Sequence, residues 1–166
     1  KLIYLDNAAH KDSAEVVEPL LPYFTEHYGN PSTVYSLGGE SKKAITEARE
    51  TIANALGAQT EEIYFTAGGS ESDNWALKAT AEAYKSKGKH IITTKIEHHA
   101  ILHTAEYLEK RGFEITYIGV DENGVVKVDN LEKAIRPNAI LISVIFANND
   151  NGIEEIDVLA GFLFVD

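Results

Sequence analysis

A chain of 166 residues with 44% hydrophobic and 25% charged side chains has the composition of a soluble globular domain, and no run in it is apolar and long enough to span a bilayer. A formal net charge of −11, from 26 acidic against 15 basic side chains, would repel a phosphate backbone, which sets nucleic-acid binding aside. The absence of cysteine excludes disulfides and thiolate metal sites, the absence of methionine even at position 1 points to a processed, trimmed or edited start, and with no signal sequence the expected compartment is the cytoplasm.

Helical periodicity runs from about Glu15 to Glu26, with Ser13 as cap and Val16, Val17, Leu20, Leu21 and Phe24 on one side. It stops at Tyr28-Gly29-Asn30-Pro31-Ser32, where glycine and proline both punctuate. A second helix is expected over Gly39 to Leu56, with Ile45, Ala48, Ile52 and Ala55 on one stripe, a charged outer face and a stop at Gly57. From there short apolar strands alternate with amphipathic helices. Strand is expected at Ile63–Thr66, His90–Thr94, Phe113–Ile118, Ile140–Phe146 and, as a last short run, Phe162–Val165. Helix is expected from Ser70 to about Lys85, from His99 to Lys110 ahead of Gly112, and over Asp129–Ile135 ahead of Pro137. Asp121-Glu122-Asn123-Gly124 reads as a turn between extended pieces.

This alternation predicts an α/β fold, a largely parallel sheet with helices packed on its faces, whose ligands sit at the carboxyl ends of the strands. Four candidate contacts fall there: the Gly68-Gly69-Ser70 turn, the Glu97-His98 segment, the Asn148-Asn149 pair and Asp166. At the first, two glycines let the main chain approach a ligand, and the positive end of the following helix faces an anion; an ordinary turn with Ser70 as N-cap is the alternative. The His98 ring can cover a planar ligand or stand in solvent. His99 and His103, four apart on a helix, share a face and suggest a metal, but no third ligand stands at a fixed spacing. Asp166 follows an apolar run and, if buried, needs a cationic partner such as a protonated ring nitrogen; at a hydrated terminus it needs none. Asn148 and Asn149 can donate to a ligand oxygen or close a turn.

In this order the pieces resemble cysteine desulfurases of the NifS/IscS-like group, class V aminotransferases of the fold-type I pyridoxal-phosphate enzymes. The resemblance rests on Tyr4-Leu5-Asp6-Asn7-Ala8-Ala9, Tyr28-Gly29-Asn30-Pro31-Ser32, Glu47-Ala48-Arg49 and Phe65-Thr66-Ala67-Gly68-Gly69-Ser70-Glu71-Ser72. It continues in Glu97-His98-His99-Ala100, Ala147-Asn148-Asn149 and Val165-Asp166. It implies that the amides of Gly69 and Ser70 and the Ser70 hydroxyl hold the phosphate of pyridoxal 5'-phosphate, that His98 stacks on its ring and that Asn149 touches the ring hydroxyl oxygen. Asp166 would keep the ring nitrogen protonated, which makes the ring an electron sink. The implied reaction takes sulfur from L-cysteine, leaving L-alanine and an enzyme persulfide that feeds iron–sulfur cluster assembly.

The departures matter equally. The family's Schiff-base lysine lies in a Ser-x-His-Lys motif downstream of the aspartate and its persulfide-forming cysteine further on, and neither is in this sequence. His10-Lys11 stands where a threonine usually follows, and Asp150-Asn151-Gly152 leads to Phe162 after nine residues, fewer than the dozen or more a parallel crossover needs. The expectation is therefore a single partial cofactor-binding domain over 1–166, the truncated large domain of a fold-type I enzyme, with an N-terminal arm and helix over 1–35 and an α/β sheet core over 36–166. It would hold pyridoxal phosphate weakly, non-covalently or not at all, lack activity alone, and have as partner a second copy or a complementing chain, with no nucleic acid and no membrane. The alternative is a non-enzymatic α/β scaffold or association module.

Overall fold

The computed structural model describes residues 12–145 and, as backbone alone, 147–148 and 153–154. The chain divides at Phe65/Thr66 into two compact units.

In the first unit the expected helix over 15–26 is broken into α1 (Ala14–Val17), a 3₁₀ turn (Glu18–Leu20) and α2 (Pro22–Thr25). Pro19 and Pro22 each remove an amide that a continuous helix would have to donate, so the segment advances in single turns. Ser13 has extended geometry but makes no side-chain cap bond. α3 (Ser36–Leu56) starts three residues before Gly39 and ends as expected at Gly57, whose left-handed φ of 67° lets its amide close back on Ala53 and Asn54. Its buried positions are Gly38, Ser41 and Ala53, whereas Ile45 and Ile52 of the expected stripe stay partly exposed. Gly38 is fixed by close approach, since a Cβ there would lie 2.0 Å from Thr33 Oγ1. Ile63–Thr66 forms no strand; its backbone follows a 3₁₀ turn (Thr60–Glu62), and Arg49 of α3 donates to Ile63 O at 3.0 Å and covers the Phe65 ring.

In the second unit the alternation of strand and helix is realised. α4 (Gly69–Tyr84), β1 (His90–Thr94), α5 (His99–Glu109), β2 (Glu114–Ile118), α6 (Val128–Ala134) and β3 (Ala139–Ile142) follow one another within a residue or so of the expected bounds, except that β3 ends at Ile142 rather than Phe146, which lies outside the described residues. The sheet order is β2-β1-β3, both pairs parallel, with Ile91 opposite Ile115 and Leu141. Because side chains alternate along β1, Ile91 and Ile92 enter different cores. Ile91 packs with Leu77 and Ala81 of α4, Ile101 and Leu108 of α5, and Ile140 and Leu141. Ile92 packs with Ile118, Val126, Ala139, Ile142 and Val144, next to Leu131 of α6. Helices thus cover both faces, and β1, central in the sheet, is buried along its whole length.

The Asp121–Gly124 turn forms as expected, with Asp121 Oδ1 accepting from the amides of Asn123 and Val125 at 2.9 and 3.0 Å and Gly124 at φ 82°. These amide bonds hold the Asp121 carboxyl below the ordinary carboxylate range. After β3, β4 (Ala147–Asn148) pairs antiparallel with β5 (Ile153–Glu154). Phe162–Val165 lies outside the described residues.

Candidate functional site

The turn before α4 is built by its own side chains. Thr66 Oγ1 donates to Gly68 O at 3.1 Å and meets Ser72 Oγ at 2.6 Å, and the Ala67 amide donates to Glu71 Oε2 at 2.5 Å. Gly68 is extended (φ 160°, ψ 175°), and neither it nor Gly69 adopts the left-handed region, so these glycines are not required by backbone handedness. What they leave is room: a Cβ at Gly68 or Gly69 would have nothing within 4 Å among the described residues. The first intrahelical bonds of α4 are made by the amides of Glu71 and Ser72 to Gly68 O, at 3.1 and 3.2 Å, and no side chain caps the helix from Gly68. The amides of Gly69 and Ser70 precede that ladder, at the positive end of a 16-residue helix.

The second element is the exit of β1. Glu97, 7% exposed, accepts from Thr94 Oγ1 and from the amide of Ile145, both at 2.8 Å, and so ties the ends of β1 and β3 together. The next residue, His98, is the N-cap of α5; its Nδ1 accepts from the Ala100 amide at 3.1 Å, which leaves the neutral ring's proton on Nε2. Asp73, on the first turns of α4, has its carboxyl pushed up by burial, with neighbouring His98 opposing.

Ser70 and His98 open onto one cavity of about 380 Å³, whose walls are Asn74, Lys78 and Thr104 together with His99, His103 and Tyr107. Among the described residues no carboxylate lines it, in a chain with a net charge of −11. Asn74 organises the walls: its Nδ2 donates to Ser70 O at 2.9 Å, while its Oδ1 accepts from Lys78 Nζ at 2.6 Å and from Thr104 Oγ1 at 2.8 Å. Lys78 and Arg111 both approach the Tyr107 ring, at 4.7 and 3.5 Å from its centroid. Sequence reasoning missed Asn74, Lys78, Thr104 and Tyr107. The signal was present, because Ser70, Asn74 and Lys78 recur every four residues and so share one face of α4.

Of the residues singled out in the sequence, Ser70 and His98 meet at this cavity, and Gly69 stands beside Ser70 in the first turn of α4. Asn149 and Asp166 lie outside the described residues. The rings of His99 and His103 stand 5.3 Å apart, yet among the described residues no group of three or more candidate ligands is placed to hold a metal ion. Nor does any described helix have the length and apolarity to cross a membrane.

The chain as a whole is similar to known proteins. The model of the family Aminotransferase class-V matches residues 3–160. Over 153 residues the chain is 56% identical to the cysteine desulfurase IscS of Clostridium botulinum (strain Kyoto / Type A2), a match covering 92% of this chain and 38% of that one. It is 57% identical over 153 residues to the cysteine desulfurase IscS of Methanosarcina thermophila, with the same coverage of 92% and 38%. Among solved structures, a NifS-like protein superposes with a TM-score of 0.84 at 40% identity, over 87% of this chain and 40% of that one. SspA in complex with cysteine superposes with a TM-score of 0.81 at 38% identity, over 86% and 41%. The chain therefore spans about two fifths of the length of the relatives it matches.

Proposed function

This chain belongs to the class-V aminotransferase family, with NifS/IscS-like cysteine desulfurases as its relatives, and from that premise we propose that its second unit cradles pyridoxal 5'-phosphate for the removal of sulfur from L-cysteine. The observation that carries the reading is the meeting of Ser70, at the start of α4, with His98, at the start of α5, on one cavity. The residues fit the group. A dianionic phosphate suits the amides of Gly69 and Ser70 and the Ser70 hydroxyl, with the space before the two glycines admitting its oxygens. A flat ring suits the His98 imidazole, whose orientation is set by its cap bond to Ala100. The proposal extends to Asn149 at the ring hydroxyl oxygen and Asp166 at the ring nitrogen.

When bound, the cofactor supplies an electron sink for the bonds around the substrate's α-carbon. The residues of this chain bind and orient it: Gly69 and Ser70 anchor one end, and His98 fixes the plane of the other. Glu97 sets where His98 leaves the sheet, through its bonds to Thr94 and Ile145. These 166 residues contain no cysteine, so in this reading the thiol that receives sulfur, like the lysine that fixes the cofactor covalently, comes from residues outside them. Binding by these residues alone is accordingly weak and non-covalent and carries no turnover. The whole protein acts in the cytoplasm as a homodimer that feeds iron–sulfur cluster assembly.

Titration of the purified chain with pyridoxal phosphate tests the reading by absorbance. A saturable change is expected in the parent, with none in a Ser70→Ala, His98→Ala double variant. Equal changes in both, or none in the parent at millimolar cofactor, would reject the site.

A further inference from the structure

We propose that Asn74 and Thr104 form an interhelical latch that fixes the distance between the phosphate-holding start of α4 and the His98 ring at the start of α5, making both of them positioning residues; the inference rests on the cofactor reading above. Thr104 is 3% exposed, and its hydroxyl donates to Asn74 Oδ1 across the helix pair at 2.8 Å. The same amide group donates through Nδ2 to Ser70 O at 2.9 Å, so one side chain joins α5 to the residue that opens the phosphate site. Lys78 donates to Asn74 Oδ1 at 2.6 Å from the other side and rests on Tyr107 of α5, which leaves the amide little freedom to rotate.

The apolar seam between the two helices cannot do this. Leu77 and Ala81 pack there with Ile101 and Leu108, and apolar surfaces of this kind resist separation more than sliding. A directional hydrogen bond from a buried hydroxyl fixes the register that the apolar seam leaves loose. Register matters here because Ser70 and His98 sit on different helices. A ligand gripped by both is sensitive to their separation, while one gripped by α4 alone is not.

The test compares two ligands on the same variants. Binding of pyridoxal phosphate and of inorganic phosphate is followed through the amide NMR signals of Gly69 and Ser70, with the His98 signals read alongside. Thr104→Val, which keeps the side-chain shape and leaves Asn74 Oδ1 still bonded to Lys78, is expected to weaken pyridoxal phosphate about tenfold while inorganic phosphate stays within about twofold. Thr104→Ser, which keeps the hydroxyl, is expected to restore the parent value. Asn74→Ala removes the same bond from the more accessible side and should reproduce the split. Unchanged pyridoxal phosphate binding in Thr104→Val and Asn74→Ala would overturn the latch. Equal weakening of both ligands would also overturn it, since general loosening of the helix pair does not discriminate between them. If the parent's Gly69 and Ser70 signals respond to neither ligand, the cofactor reading itself fails, a result distinct from failure of the latch.

Discussion

Replacing Gly69 separates a residue kept for folding from one kept for a ligand. Its φ is not in the left-handed region, and a Cβ built on it meets nothing within 4 Å among the described residues, so alanine there creates neither strain nor overlap with them. Relative to glycine, alanine in a helix is favoured by up to about 1 kcal/mol, because the unfolded chain loses freedom and the helix does not. Gly69→Ala is therefore expected to raise the urea midpoint slightly or leave it unchanged. The ligand sees the opposite. Each Cα–Cβ bond of a helix tilts toward the N-terminus, so the new methyl projects toward the space where the phosphate would sit. If the phosphate retreats far enough to lose one amide bond to a charged oxygen, the cost is about 1.5–3 kcal/mol, or about tenfold to a hundredfold in affinity. Gly69→Val should weaken binding further. Stability is read by urea unfolding followed by circular dichroism, and affinity by pyridoxal phosphate titration. Unaltered affinity in both variants would refute the placement of the phosphate at α4; a marked loss of stability in Gly69→Ala would show that the glycine serves the backbone instead.

Other expectations concern the frame that carries the site. Leu77 is fully buried between α4, β1 and α5, and Leu77→Ala should cost about 2–5 kcal/mol in urea unfolding; a loss under 1 kcal/mol would mean that this core is not packed as described. Gly88→Ala would set a methyl 2.2 Å from Asn138 O, the acceptor of the His90 amide, and should lower stability by about 1–3 kcal/mol, whereas a neutral result would contradict that close approach. His90, buried with Nε2 against Thr116 Oγ1 at 2.8 Å and Nδ1 without a partner among the described residues, has its ring pushed below the ordinary value by burial and by Arg136, with Glu114 opposing. The unfolded chain therefore takes up a proton first, near pH about 6.5, and the stability contributed by the neutral ring is complete above that pH and lost as pH falls through the lower folded value. Urea midpoints measured from pH 8 to 5 should fall more steeply for the parent than for His90→Gln; parallel curves would contradict this.

Much of the second unit was legible in the sequence because local and global signals agree there. His90–Thr94 is a short, β-branched run between Gly88 and the Glu97-His98 segment, and it becomes the buried central strand with the expected bounds. Gly57, Gly112 and the Asp121–Gly124 turn stop or turn the chain where glycine allows positive φ. The first unit was less legible. Apolar spacing in 15–26 suggested one helix, and Pro19 and Pro22 override spacing by removing donors. Ile63–Thr66 has strand composition, but composition does not supply a neighbour to pair with. At the site, Ser70 and His98 were visible through their positions at a helix start and a strand exit. Asn74 and Thr104 were not, because their bond spans thirty residues and exists only once α4 and α5 lie side by side.

The central claim is that the starts of α4 and α5 grip a single ligand together. Recording ¹H–¹⁵N spectra of the chain during titration with pyridoxal phosphate tests it most directly: the signals of Gly69, Ser70 and the His98 ring should move in concert along one binding curve. Movement of His98 without the two amides, separate curves for the two helices, or shifts elsewhere in the chain with these three unmoved would contradict it.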